Sequence, residues 1–359
     1  MKNNNSRSGA GKTALIIGMT GGFGGSVATV LQENGWALRA LHRNADQARA
    51  DFPGLKDIDW ISGDALSAQD VARAAEGAAV IVHGANPPGY KNWRGLAIPM
   101  LENTIRAASQ NGSRIVFPGN VYNFGPETFP KISETAPQRP QTVKGNIRVE
   151  MEALLRKASE DKGSRPGRGA RVLIVRAGDF FGPLAPSSWF QTVMVKPGRA
   201  IQKVTYPGNP RIGHAWAYLP DLARTVGELV AREESLADFE VFHFRGHYLE
   251  DNRAFANTIA RITGKAKIPL KPFVWLPVFL LSPFVELFRE LLEMKYLWKV
   301  PVELDNGKLV AFLGKEPHTP LEQALRTTLK ALGCLSEGQG QPTAAQQKWP
   351  ASAAQAQTP

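Results

Sequence analysis

The chain holds a single cysteine, Cys334, among 359 residues. No disulfide framework can form within one copy and no cysteine-based metal site is available, which fits a reducing compartment. Long apolar runs are also missing. The longest, Phe273-Val-Trp-Leu-Pro-Val-Phe-Leu-Leu-Ser-Pro-Phe284, is broken by proline and falls short of the ~18 residues a transmembrane helix needs. The start, MKNNNSRSGAGK, lacks the apolar segment of a secretory signal. The expected location is cytoplasmic.

Clustered basic charge is the next absence. A formal net charge of +11 raises nucleic acids and anionic membranes as partners. Yet the basic residues are scattered, and the densest group, Lys162-Gly-Ser-Arg-Pro-Gly-Arg-Gly169, accompanies no finger, basic zipper or aromatic-basic pattern. We expect no nucleic-acid partner and read the charge as a solvated surface around an anionic ligand site.

What is present reads as an ordinary globular chain, 43% hydrophobic and 21% charged. Short aliphatic runs at 14–18, 37–41, 58–62, 79–83, 114–118 and 172–176 alternate with helix-like segments at 25–34, 67–76, 93–111 and 145–160. This alternation predicts an α/β fold, a doubly wound parallel Rossmann sheet. The expected organisation is a flexible leader over 1–12 and a nucleotide-binding domain over 13–184, with 214–245 returning to it. A smaller, mostly helical substrate lobe takes 185–213 and 246–335. Residues 336–359 lack the apolar side chains a core requires and read as a disordered tail.

Two glycine loops compete for a phosphate. Gly9-Ala-Gly11-Lys12-Thr13 looks like the end of a Walker A loop, but the first glycine position holds Ser6 and the motif precedes the first strand. Gly18-Met-Thr20-Gly21-Gly22-Phe23-Gly24 follows a strand and opens a helix, where glycine lets the backbone approach a diphosphate. The second loop is the better candidate. At the end of the next strand, Leu41-His42-Arg43 offers no carboxylate before Asp46. An arginine there can grip a 2′-phosphate, so NADP(H) is preferred over NAD(H).

Position by position, Gly18–Gly24 resembles the nucleotide loop of the extended and atypical short-chain dehydrogenases/reductases, the NAD(P)-dependent epimerase/dehydratase family. The resemblance continues through Ser62-Gly-Asp64-Ala65, Val80-Ile-Val-His-Gly84-Ala85-Asn86, Phe117-Pro-Gly-Asn120-Val-Tyr122, Arg176-Ala-Gly-Asp-Phe180-Phe-Gly182-Pro183 and Tyr218-Leu-Pro-Asp221. It implies that Asp64 and Ala65 adjoin the adenine and that Gly84, Ala85, Asn86 and Phe180 line the cofactor. It also implies an oxidoreductase or epimerase acting on a small carbonyl, hydroxyl or sugar-like substrate.

The family's chemistry needs a serine and a Tyr-x-x-x-Lys. Here Pro118 falls on the serine position, Lys144-Gly-Asn-Ile-Arg148 falls on Tyr-x-x-x-Lys, and no tyrosine lies between Tyr122 and Tyr206. Three readings stay open. In the first, Lys144 is the acid/base and Arg148 the ribose clamp, with Asn120 or Tyr122 polarising the substrate. In the second, the chain binds NADP(H) without turnover and reports redox state to a partner. In the third, the aromatic segment Phe273–Val300 docks on a membrane surface, a less expected reading than a lid helix packed on the substrate lobe. Trp189, Arg211, His214 and Trp216 are candidate substrate residues. Asp221 reads as a helix cap, and no metal site is expected; the oligomeric state, monomer or dimer, is left open.

Overall fold

The computed structural model describes residues 11–52, 57–87, 92–161 and 169–335. Most of the expected leader, most of the basic loop at 162–169 and the expected tail lie outside the described residues. Seven strands form the main sheet: β1 (Thr13–Ile17), β2 (Ala37–His42), β3 (Ile58–Ser62), β4 (Val80–His83), β5 (Arg114–Gly119), β6 (Arg171–Ala177) and β7 (Phe239–Phe244). Their order is β3-β2-β1-β4-β5-β6-β7, and every neighbouring pair is parallel. The order reverses between β1 and β4, which opens a crevice at their carboxyl ends.

Alternate strand residues feed two cores, which is why the strands read as continuous apolar runs. Ala14 and Ile16 face α1 (Gly22–Glu33) and α6 (Leu219–Ala231), with α2 (Ala45–Asp51) at the edge. Leu15 and Ile17 face the opposite core, shared by α3 (Ala68–Ala75), α4 (Trp93–Asn111) and α5 (Val143–Glu160). Local chemistry sets the helix ends. Ser67 and Thr142 accept N–H groups from the first turns of α3 and α5, and α4 stops at Gly112.

Two boundaries differ from expectation. Helix α1 starts at Gly22 rather than near Gly24, because Gly21 already accepts the Gly25 N–H at 2.9 Å. Strand His214–Tyr218 does not return to the main sheet; it pairs with Asp179–Phe181 and His247–Leu249. The reason is its position as a wall between cores: Ala217 packs on the main core, while Trp216 and Tyr218 point into the second lobe.

That lobe contains α7 (Arg253–Thr263), α8 (Trp275–Leu281) and α11 (Leu321–Ala331) around Phe181, Phe190, Trp216, Phe255 and Trp298, with α9 (Glu286–Glu293) packed beside α8. By contrast α10 (Gly307–Leu313) buries Leu309 and Leu313 against the main sheet. The expected lobe boundary at 246–335 is therefore crossed by a helix of the Rossmann layer.

Candidate active site

The turn after β1 is shaped by what glycine lacks. Gly18 has φ +90°, and a Cβ there would lie 2.6 Å from the Gly84 carbonyl carbon. Gly24 is equally restricted, since a Cβ would overlap the Gly18 carbonyl oxygen. The ends of β1 and β4 thus meet through bare backbone. Helix α1 begins with no side-chain cap and no acidic residue in its first turn. Among the described residues its leading peptide N–H groups have no side-chain acceptor, and no acid in the first turn opposes its dipole, which fits a diphosphate. Phe23 is buried and anchors the turn, while Thr20, Gly21 and Gly22 are half-buried.

The other proposed cofactor residues lie along the same carboxyl edge. Gly84 donates its N–H to Ile17 at 2.8 Å, and Gly63 donates to His42 at 3.1 Å, so the ends of β1 to β4 adjoin. Arg43 is exposed at the tip. His42 engages the Asn44 backbone through Nδ1 and meets Trp60 edge-on. Asp64 accepts the Leu66 N–H at 2.9 Å, and Asn103 donates to the Ala65 carbonyl at 3.0 Å. Asn86 accepts the Trp93 indole N–H at 2.9 Å, beside half-buried Ala85. Phe180 packs on the main core.

Lys144 and Arg148 stand one turn apart on α5 but serve different neighbours. The Lys144 side chain is 3% exposed, with Nζ 2.7 Å from Glu290 and 4.0 Å from Glu293. It also donates to the Glu290 carbonyl at 2.9 Å. Burial lowers the Lys144 pKa, and the two glutamates oppose that shift. Arg148 reaches the sheet edge, donating to the Pro118 carbonyl at 3.2 Å and lying over Trp93 and Phe117. His83, stacked on Phe117, is pushed down to about 3 by burial and the Arg148 charge, so it is neutral. Asn120 accepts the Tyr122 N–H at 3.0 Å and Tyr122 is half-buried.

The sequence did not disclose Glu290 and Glu293 as partners of α5. They approach from α9, about 146 positions away along the chain. Their spacing of three residues on a helix was the only signal. A second hidden group is structural: Arg176 makes a paired contact with Glu152 at 3.0 and 2.5 Å and reaches His243 at 3.1 Å. It ties α5 to β6 and β7.

The candidate substrate residues fall into the second lobe. His214 is buried, with Nε2 2.7 Å from Asp179 and its ring stacked 4.3 Å from Trp298. Trp216 is fully buried and donates to Asn252 at 2.8 Å, so it shapes the core rather than lining an open surface. Trp189 packs against Trp275 and Trp298, while Arg211 is exposed. A cleft of about 380 Å³ opens beside them, lined by Tyr206, Asn209, Phe273, Trp275, Lys295 and Trp298, among others.

Asp221 is not the cap of α6. Its carboxylate accepts the Thr319 N–H and O–H at 2.6 and 2.7 Å and pairs with Arg224, fastening the chain before α11 to the start of α6. His247 and His318 lie beside it, with ligand atoms within 4.8 Å of one another. This carboxylate-histidine group was not anticipated from sequence. The Arg224 guanidinium on the same carboxylate opposes a cation there.

Residues 18–157 match the family model described as NAD(P)H-binding. Among solved structures, UDP-glucose 4-epimerase from Brucella ovis in complex with NAD has a TM-score of 0.69 at 15% identity, covering 90% of this chain and 98% of that one. MoeE5 in complex with UDP-glucose and NAD has a TM-score of 0.67 at 18% identity, covering 89% and 98%. The dTDP-glucose 4,6-dehydratase DesIV from Streptomyces venezuelae, with NAD and TYD bound, has a TM-score of 0.65 at 16% identity, covering 89% and 96%. No curated protein sequence gives a significant match. No helix among the described residues is long and apolar enough to cross a membrane. Residues 18–157 thus resemble NAD(P)H-binding proteins, in a chain with the fold of these solved epimerase and dehydratase structures.

Proposed function

We propose that the chain is an NADP(H)-dependent oxidoreductase or epimerase-type enzyme acting on a small hydroxylated, sugar-like substrate. The observation that carries the reading is the uncapped, acid-free start of α1 beneath a glycine turn at the sheet's switch point. Exposed Arg43 at the end of β2 supports the phosphorylated dinucleotide, because no carboxylate stands there to repel a 2′-phosphate. When bound, a nicotinamide dinucleotide supplies the hydride acceptor or donor.

Lys144 takes the place of the missing tyrosine in this reading. Its buried amine, with a lowered pKa, would accept the proton of a substrate hydroxyl or return it to a carbonyl. Arg148, at the edge of β5, would hold the ribose side of the cofactor. Glu290 and Glu293 position Lys144 and tune its charge. The cleft at Trp298 offers aromatic faces with Lys295 beside them, a chemistry suited to a hydroxylated ligand bearing an anionic group.

One observation favours a second reading. Lys144 is already in an ion pair, as a purely structural ammonium would be, and a non-catalytic redox sensor would keep cofactor binding with that pair intact. The test is hydride transfer with NADPH and NADP⁺ across sugar-nucleotide and small-carbonyl substrates. An acid/base Lys144 predicts that Lys144→Met keeps NADPH binding and loses about 10²–10⁴-fold in turnover. It also predicts that Glu290→Gln, by removing a charge that raises the Lys144 pKa, moves the pH-rate profile to lower pH. NADPH binding with no turnover on any substrate supports the sensor.

A further inference from the structure

The two short helices α8 and α9 invert the usual rule of burial. From Pro272 to Val285 the chain carries no charged residue. In α8 only Val278 is buried, whereas Leu276, Phe279 and Leu280, spaced to share one helix face, are each at least 60% exposed. Phe284, in the turn between the helices, is 84% exposed, and Leu287 on α9 continues the patch. A soluble surface rarely leaves so many large apolar side chains together without a partner.

The charges around the patch are sorted. Glu290 and Glu293 turn inward to Lys144. Lys271, Arg289 and Lys299 are exposed around the hairpin, and Lys295 lies over Trp275 at its base. Half-buried Glu286 is the remaining acid of α9. A second copy of the chain would bring this basic rim against itself across a two-fold axis, and its net charge of +11 repels another copy. A layer of anionic headgroups satisfies both features.

We propose that the α8–α9 hairpin is a docking surface for an anionic lipid bilayer, with Leu276, Phe279, Leu280, Phe284 and Leu287 entering the headgroup boundary and Lys271 and Arg289 meeting lipid phosphates. This inference does not depend on the proposed reaction. The test uses the full chain with vesicles of phosphatidylcholine alone and of phosphatidylcholine mixed with phosphatidylglycerol, read by co-sedimentation and Trp275-dependent fluorescence. The protein is expected to pellet with the mixed vesicles, less so with phosphatidylcholine alone, and to be released by added salt. Leu280→Ser and Phe284→Ser should each weaken partitioning about tenfold, with unchanged thermal unfolding and NADPH binding. The proposal is overturned if the wild-type chain stays in the supernatant with mixed vesicles, or if both variants pellet as it does. It is equally overturned if sedimentation velocity shows a dimer that the same variants dissociate while vesicles are ignored.

Discussion

The parallel-sheet half and the α8–α9 hairpin use hydrophobic residues in opposite ways. In the first, strand residues such as Leu15, Ile16, Val82 and Ile115 are fully buried between two helical layers. In the second, Phe279 and Phe284 stand in solvent. The difference teaches what each region is for. A parallel sheet must cover both faces to exist at all, so its apolar pattern reports the fold. A pair of short helices with an outward apolar face has no such internal reason, and its pattern reports a surface to be covered.

Perturbations should follow the same divide. The largest effect is expected from Gly24→Val, because the new side chain meets the Gly18 backbone at the point where β1 and β4 close. NADPH affinity should fall by about a hundredfold or more and thermal stability by about 3 kcal/mol, checked by titration and melting. Retained affinity would show that the turn does not hold the diphosphate.

Next come the buried histidines. His83 and His243 are held down at about 3 and His247 at about 4, chiefly by burial. Each is neutral when folded, while the unfolded chain takes up a proton below about 6.5. Stability is therefore full above pH 6.5 and is lost progressively as pH falls toward 3–4. The loss is about 2 kcal/mol per histidine at pH 5. Denaturant melts at pH 7 and pH 5 measure it, and His83→Asn should flatten the slope.

A smaller change is expected at the exposed tip. Arg43→Glu should leave stability alone and reverse cofactor preference, lowering NADPH affinity about tenfold relative to NADH. An unchanged ratio would place recognition of the adenosine ribose elsewhere. The hairpin substitutions sit at the bottom of the scale for folding, within about 0.5 kcal/mol, because their side chains have no packing to lose.

The same contrast explains how much was legible. The strands and the bounds of α4, Trp93–Asn111, can be read from the sequence because each rests on local patterning: aliphatic runs, and a glycine stop at Gly112. The glycine turn could be found because its steric demand falls on consecutive residues. The Lys144–Glu290 pair could not, since nothing near Lys144 in sequence specifies what α9 brings to it. The wall strand His214–Tyr218 was not separated from the 214–245 stretch for a related reason: its residues face both cores, and only the tertiary layout decides which strands it pairs with.

The most direct measurement is a thermal-shift titration of the wild-type chain with NADPH, NADH and ATP. Stabilisation by NADPH at lower concentration than NADH, with none from ATP, is the result expected of a diphosphate on the α1 terminus and a 2′-phosphate at Arg43. No shift with either reduced dinucleotide, or a shift with ATP alone, would contradict the account.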